Sequence, residues 1–157
     1  MAFVRDTNIV EICPLESPIT TVDFLRYFYY SGVVYMTLRK YPDALECFDQ
    51  VLSTPAHAIS AVAVEAYRKA TLVSLIERGK PYTLPRSASA IMSRVDSQAG
   101  SYECKTYKAI SRAFCEGISL GDLSKEVESG KEDLEKHFNF GLAQLVLDAY
   151  PIRRLLQ

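Results

Sequence analysis

Apolar positions recur every three or four residues in the first third of the chain, which is the spacing of one face of an α-helix. The first run predicts a helix from Thr21 to about Leu38, with a face formed by Phe24, Phe28, Ser31/Gly32, Tyr35 and Leu38. Thr20 or Thr21 can cap this helix, and Asp23 lies in its first turn, where the helix dipole favours a carboxylate. Pro42 opens a second helix, whose face contains Ala44, Leu45, Phe48, Val51 and Leu52.

The third predicted helix is long and apolar on more than one face. Ser53-Thr54-Pro55 has the composition of a cap followed by a first-turn proline, so we expect the helix to run from Ala56 to about Arg78, with Gly79 as its stop. Its main stripe contains Ile59, Val62, Ala66, Ala70, Val73 and Ile76, whereas Val64, Leu72 and Leu75 fall outside it. Apolar residues on several faces predict contacts on two sides of this helix.

The second half of the chain predicts shorter helices separated by turns. They span Ser87–Val95, Tyr102–Cys115, a polar helix capped by Asp122, Phe140–Ala149 capped by Asn139, and a last helix opened by Pro151. After the polar helix begins, Ser129–Glu132 has the spacing of a capping box. This makes about eight helices and no convincing strand. Because short turns join consecutive helices, we expect an all-α, right-handed stack of antiparallel helical repeats.

The first two helices resemble one tetratricopeptide unit, whose pattern is Trp-x₂-Leu-Gly-x₂-Tyr, then Ala-x₃-Phe, then Pro. The corresponding positions are Phe28, Ser31, Gly32, Tyr35, Ala44, Phe48 and, within a residue, Pro55. Small residues at Gly32 and Ala44 would let the two helices approach closely, while Tyr35 and Phe48 fill the space around the contact. Phe28 and Ser31 depart from the pattern, and Pro55–Arg78 with Ser87–Val95 forms only a degenerate second pair.

Composition narrows the class of protein. The 157 residues suit one domain, and a net charge of −1 without a basic stripe argues against a nucleic-acid partner. No apolar run approaches the ~20 residues of a membrane span, and the N-terminus lacks the apolar core of a secretory signal. We therefore expect an intracellular protein whose four cysteines (Cys13, Cys47, Cys104 and Cys115) are reduced and mostly buried.

Catalytic and cofactor motifs are missing from the sequence, so we expect no enzyme activity, no metal and no cofactor. The two histidines, His57 and His137, are not part of a zinc motif, and each suits a structural position near a helix end. Cys104 or Cys115 could pair with His137 as nucleophile and base, but no flanking signature supports this. A glycine-rich phosphate loop is likewise absent.

Two surfaces are candidate partner contacts. Tyr29 and Tyr30 cannot both face the same core, so one of them would line an exposed surface; core packing of the aromatic cluster is the alternative. The second surface is the run Asp122–Lys136, which alternates in charge, with Asp122, Lys125, Glu126, Glu128 and Lys131 as its candidate contacts. For this run the alternative is a solvated helix face with modest ion pairs.

The stretch Thr54–Pro85 resembles the family of subunit three of the COP-nine signalosome. The matching pieces are Thr54-Pro55-Ala56, Glu65–Lys69, Leu72–Ile76, Gly79-Lys80 and Leu84-Pro85, with Tyr29–Tyr35 and Ala44-Leu45 upstream. The resemblance covers mainly Phe24–Pro85, is weak through Ser87–Lys136 and returns faintly at Asn139–Leu142 and Tyr150–Leu155.

In that family, helical repeats lead into a PCI domain, a helical bundle capped by a winged helix. The resemblance implies a non-catalytic scaffold subunit of a cullin deneddylase complex in nucleus and cytoplasm. Its partners would be the other signalosome subunits, and the metalloprotease activity would belong to a different subunit. It divides the chain into an irregular segment 1–20, a helical domain 21–150 and the start of a truncated winged-helix region at 151–157. The rival readings are a proteasome-lid subunit of the same architecture, a free tetratricopeptide adaptor that binds a peptide, and an enzyme.

Overall fold

The computed structural model describes residues 19–55, 58–97 and 104–155. These residues form eight α-helices and no strand, which confirms the all-α prediction for the described part of the chain. The helices are α1 (Thr21–Thr37), α2 (Tyr41–Ser53), α3 (Ala61–Arg78), α4 (Ala90–Ser97), α5 (Lys105–Glu116), α6 (Leu120–Ser129), α7 (Lys131–Lys136) and α8 (Phe140–Leu155). Cys13 and His57 lie outside the described residues. So does the predicted irregular segment 1–20, except for its last two residues.

Helix α3 is the centre of the fold. It packs against α1, α2, α5 and α8, and most of its residues are buried, including Leu72, Val73 and Leu75 on different faces. The predicted two-sided contact of this helix is confirmed. Helices α6 and α7 complete the stack by packing on α5 and α8.

The predicted close contact between α1 and α2 is also confirmed. Gly32 and Ala44 are buried, and the Phe48 ring fills the space at Gly32. At the start of α1, the hydroxyl of Thr20 accepts a hydrogen bond from the Asp23 backbone N–H at 3.2 Å, and the Asp23 carboxylate accepts one from the Thr20 N–H at 3.0 Å. This capping box begins α1 at the predicted position.

The predicted start of the third helix is wrong. The structure begins α3 at Ala61, with Ser60 as its N-cap, rather than at Ala56. The reason is that Thr54 ends the preceding helix: its hydroxyl donates to the Gln50 carbonyl at 2.8 Å. Pro55 therefore follows a helix end, which is the other common position for proline.

Other helix boundaries in the second half of the chain also differ from the prediction. Ser119, rather than Asp122, is the N-cap of α6, because its hydroxyl accepts from the Asp122 N–H at 3.1 Å. The predicted capping box at Ser129–Glu132 does not form, since Gly130 is the cap residue and the Ser129 hydroxyl donates to the Glu126 carbonyl. Helix α4 spans Ala90–Ser97 rather than the predicted Ser87–Val95, and α5 begins at Lys105 rather than at the predicted Tyr102.

Pro151 does not open a separate helix but lies inside α8. A proline removes one backbone donor from a helix, and tertiary bonds on either side of it secure this part of α8. The Tyr150 hydroxyl donates to the Ile118 carbonyl, and Arg153 Nε donates to the Ile76 carbonyl at 2.8 Å. The second bond also satisfies a carbonyl at the C-terminal end of α3, where helices have unpaired acceptors.

Candidate docking surfaces

Tyr29 and Tyr30 do not both face the core, as predicted, although their ring centroids lie 5.4 Å apart. The Tyr29 ring is half-buried 6.4 Å from the Phe48 ring, and the Lys69 ammonium lies 5.8 Å from its centre. Burial, together with the negative charge of Glu65, raises the pKa of Tyr29 to about 12. Tyr30 instead points outward and is 63% exposed. Only Tyr30 is therefore available to a partner without rearrangement of the core.

Tyr30 belongs to an exposed apolar row that we call the α1 stripe, formed by Val22, Tyr30, Val34 and Leu38. The prediction that Leu38 faces the core is wrong, because Leu38 is the C-cap of α1 and its side chain is exposed. These four side chains are between 45% and 63% exposed. Tyr30, Val34 and Leu38 follow one another at a spacing of four residues and lie on adjoining parts of the helix surface. Val22 lies two turns before Tyr30, with the exposed Arg26 between them. The opposite side of α1 carries the buried residues Leu25, Gly32 and Tyr35. Helix α1 thus has two apolar sides, of which the described residues cover only one.

The charged run of α6 and α7 forms local ion pairs on the surface. Lys125 Nζ lies 2.9 Å from Asp122 Oδ1, and Lys131 Nζ lies 3.1 Å from Glu128 Oε1. Hydrogen bonds from Lys125 and Ser119 hold the pKa of Asp122 below its usual value. Glu126 is half-buried on the same helix. This is the geometry of the solvated-face alternative, and it leaves a partner role for these residues as a prediction.

The two candidate surfaces lie on different parts of the stack. Helix α1 packs on α2 and α3, whereas α6 and α7 pack with one another and on α5 or α8. Lys69 connects α1 with the start of α8: its ammonium lies over the Tyr29 ring and donates to Asn139 Oδ1 at 2.8 Å. Tyr29 and Tyr30 therefore lie together on α1. Asp122 pairs with Lys125, and Glu128 pairs with Lys131, on the other surface. The two surfaces do not form one site.

A buried polar cluster joins α3, α5 and the start of α8, and sequence reasoning missed it. Its members are Glu65, Arg68, Lys69, Tyr107 and Asn139. Asn139 Nδ2 donates to the Tyr107 hydroxyl at 2.8 Å, Lys69 donates to Glu65 at 3.5 Å, and Arg68 pairs with Glu65. Burial lowers the pKa of Lys69, with Glu65 acting against that shift.

The signal for this cluster was present in the sequence. Arg68 and Lys69 are adjacent charges inside the otherwise apolar third helix, at positions that the two-sided pattern requires to be buried. Buried charges need partners, so a search for polar residues in the later helices could have found the cluster. Asn139 was instead assigned to the cap of α8. Its side chain, 1% exposed, points into the core and does not perform the predicted capping role.

The cysteines and the described histidine occupy packing positions for the most part. Cys47 and Cys104 are buried and Cys115 is exposed, and none of these three cysteines is in a disulfide. Burial, with nearby Asp43 and Glu46, raises the pKa of Cys47 to about 11, and burial raises those of Cys104 and Cys115. A raised pKa keeps each thiol protonated and weakly nucleophilic. His137 is buried at the C-terminal end of α7, with Nδ1 3.3 Å from the Tyr107 hydroxyl.

The described ranges contain neither a metal-binding cluster nor a membrane-spanning helix. Within residues 19–55, 58–97 and 104–155, no three or more His, Cys, Asp or Glu side chains are grouped so that they could hold a metal ion. None of the helices in these ranges combines the length and apolar character that crossing a membrane requires.

The fold is that of an all-α helical-repeat protein. Comparison with known sequences identifies its family. Residues 2–92 of the 157 match the sequence model of a family described as COP9 signalosome complex subunit 3, N-terminal helical repeats. The chain belongs to this family.

Two curated relatives carry the name of that subunit. The chain is 36% identical to COP9 signalosome complex subunit 3 of Dictyostelium discoideum over 140 residues, which are 89% of the chain and 32% of the relative. It is 33% identical to COP9 signalosome complex subunit 3 of Emericella nidulans over 133 residues, which are 84% of the chain and 26% of that relative. The chain thus spans about a third or less of the length of these relatives. The resemblance described above is confirmed at the level of the family.

Proposed function

We propose that this chain serves as a non-catalytic scaffold of the COP9 signalosome and that it binds a neighbouring subunit through the α1 stripe. The partner is another signalosome subunit, so the protein acts as part of a hetero-oligomer in nucleus and cytoplasm, in the pathway that removes a ubiquitin-like modifier from cullins. Membership of this family supports the assignment of the chain to the signalosome. The α1 stripe is the single observation that supports this mode of assembly.

The energetics of the α1 stripe favour a protein partner. Complete burial of one large apolar side chain is worth about 1.5–3 kcal/mol. Val22, Tyr30, Val34 and Leu38 are each about half exposed, so covering them is worth on the order of 1 kcal/mol per side chain. Tyrosine is also among the residues that most often carry binding energy at interfaces. Tyr30, Val34 and Leu38 form the uninterrupted part of this row, and an exposed apolar patch of this kind is typical of an interaction site.

The non-catalytic part of the proposal is supported by the chemistry of the described side chains. The buried thiols of Cys47 and Cys104 have raised pKa values, opposite to the shift that activates a cysteine nucleophile. The buried charges Arg68 and Lys69 are engaged with Glu65 and with side chains of neighbouring helices. These groups join helices together, which is the role expected of them in a scaffold.

The test is co-purification from the organism's own cells, with the affinity tag placed at the gene itself. The wild-type protein is compared with the double variant Tyr30→Glu/Val34→Glu, which places two charges on the α1 stripe. The matched control is Gln50→Glu, which adds a charge at an exposed position of α2. Quantitative mass spectrometry then measures the recovery of signalosome subunits relative to the bait.

We expect the wild type and Gln50→Glu to recover the signalosome subunits, and the stripe variant to recover at least fivefold less of them with unchanged helical circular dichroism. Full recovery by the stripe variant would exclude α1 as the docking surface. Recovery of proteasome-lid subunits, or of one client without any signalosome subunit, would overturn the assignment to the complex.

A further inference from the structure

A half-open pocket of about 220 Å³ lies between α3, α5 and the segment that follows α3. It is separate from the α1 stripe and from the charged run of α6 and α7. Its main lining residues are Tyr67, Thr71, Tyr82, Lys108, Ser111 and Arg112. The pocket exceeds by far the roughly 10–15 Å³ of accessible space that one water needs, so it has room for an amino-acid side chain.

Most polar groups around the pocket already have partners within the protein. The Tyr67 hydroxyl donates to Asp96 Oδ1, which also accepts from Lys108. The Tyr82 hydroxyl donates to Asp49 Oδ1, and the Thr71 hydroxyl donates to the Tyr67 carbonyl at 2.8 Å. These bonds use the hydroxyls and leave the tyrosine rings, together with Pro81, as apolar walls.

Ser111 and Arg112 differ from the other lining residues. Ser111 is only 6% exposed and lines the pocket, and its hydroxyl makes no hydrogen bond to the part of the chain that the structure describes. Its hydroxyl is not among the buried unsatisfied atoms of the described chain, so it is reached from the pocket and can bond to a group bound there. Arg112, next to it on α5, has no ion pair within the described ranges.

The charges at the pocket favour an anion. Lys108 is matched by Asp96, so these two cancel, and the positive charge of Arg112 remains. Burial alone would raise the pKa of Asp96, but hydrogen bonds from Lys108 and Tyr67 hold this pKa below its usual value. The Asp96 carboxylate therefore stays ionised and keeps its ion pair with Lys108. A guanidinium beside a free hydroxyl suits a carboxylate, and the apolar walls suit a short CH₂ stem better than a fully hydrated phosphate.

We propose that this pocket binds a carboxylate of a peptide segment from a neighbouring protein, with Arg112 as the charge partner and Ser111 as the hydrogen-bond donor. The peptide source rests on the proposed assembly function. The carboxylate specificity does not, because it is measured on the isolated chain.

The test uses amide NMR of the ¹⁵N-labelled 157-residue chain with four small probes. N-acetylglutamate amide supplies a side-chain carboxylate, and N-acetylglutamine amide is its neutral match. N-acetylalanine supplies a C-terminal carboxylate, and inorganic phosphate supplies a different anion. The variants are Arg112→Gln and Ser111→Ala, with Lys105→Gln as the control, because Lys105 is exposed on the same helix but does not line the pocket.

We expect saturable shifts at the Ser111 and Arg112 amides with at least one of the two carboxylate probes, and the stronger of them identifies the side chain or the C-terminus as the source. Arg112→Gln is expected to raise the apparent Kd at least fivefold and Ser111→Ala severalfold, whereas Lys105→Gln leaves it unchanged. Equal binding of N-acetylglutamine amide, tighter binding of phosphate, or no saturable shift with either carboxylate would overturn the proposal. None of these results affects the co-purification test, so the two proposals can fail separately.

Discussion

The Phe48 ring of α2 lies directly against Gly32 of α1, so a Cβ at position 32 would come within 2.6 Å of Phe48 Cε1. The contact leaves no room for any side chain, and both partners are buried. Alanine normally favours a helix over glycine by roughly 1 kcal/mol. At this position packing outweighs propensity, because a ring held in a close-packed core cannot move away without cost.

The first prediction is that Gly32→Ala destabilises the chain, by about 1–3 kcal/mol as for other overpacked cores. Chemical denaturation followed by circular dichroism measures the change. The matched control is Gly141→Ala in α8, where no atom lies within 4 Å of a Cβ. That variant is expected to be neutral or slightly stabilising. A Gly32→Ala protein as stable as the wild type would show that α1 and α2 do not approach as closely as described.

The second prediction concerns Asn139, whose role differs between the sequence interpretation and the structure. As an N-cap it could be replaced by serine almost without loss, since the two residues cap equally well. In the structure its side chain bonds to Lys69 and to the Tyr107 hydroxyl inside the core. Asn139→Ser removes bonds that the shorter side chain cannot reach, so we expect a loss of about 2 kcal/mol in the free energy of unfolding. If the free energy of unfolding fell by less than a few tenths of a kcal/mol, the result would instead support Asn139 as a helix cap.

The third prediction concerns Phe138, which has a backbone φ of +55° and a side chain that is 94% exposed. The left-handed region costs an L-residue roughly 1–2 kcal/mol, and glycine avoids this cost. Because the exposed ring contributes little packing to the described chain, Phe138→Gly is expected to stabilise it by about 1 kcal/mol. Thermal unfolding is the measurement, and a lowered Tm would contradict the account of this turn.

The fourth prediction is a loss of stability in alkaline solution. Burial raises the pKa values of Tyr29 and Tyr107 to about 12, and burial with hydrogen bonds to Asp96 and Asp49 raises those of Tyr67 and Tyr82. In the unfolded chain a tyrosine titrates near pH ~10. The unfolded state therefore loses protons first, and stability that is fully present below about pH 10 falls as the pH rises towards about 12.

Lys69 acts in the opposite direction at lower pH. Its pKa is lowered by burial, so the unfolded chain binds more protons there and stability increases with pH up to about 10.4. Denaturant titrations at a series of pH values, with tyrosinate absorbance recorded in parallel, separate the two effects. Complete ionisation of all tyrosines near pH ~10 without unfolding would contradict the burial of these four rings.

The features that the sequence predicted correctly depend on local periodicity. The spacing of apolar residues located α1, α2 and the two-sided α3, and the positions of Gly32, Ala44 and Phe48 predicted their close contact. That Tyr29 and Tyr30 do not both face the core also follows from helical geometry, because adjacent residues point about 100° apart.

The features that it missed depend on contacts between distant parts of the chain. Thr54 is compatible with the start or the end of a helix, and only its bond to Gln50 decides between them. A proline such as Pro151 normally breaks a helix. Here Tyr150 and Arg153 donate to the carbonyls of Ile118 and Ile76, which lie outside α8, and these bonds hold the helix in place. Asn139 has the composition of a cap, and its true partners, Lys69 and Tyr107, are 70 and 32 residues away in the chain.

The central claim is that the α1 stripe becomes buried against another signalosome subunit. Hydroxyl-radical footprinting measures this directly, by comparing oxidation of Tyr30 in the isolated chain and in the complex purified through its tag. Because Tyr30 is 63% exposed in the chain alone, the account predicts ready oxidation there and at least fivefold less in the complex. Equal oxidation of Tyr30 in both samples would contradict it.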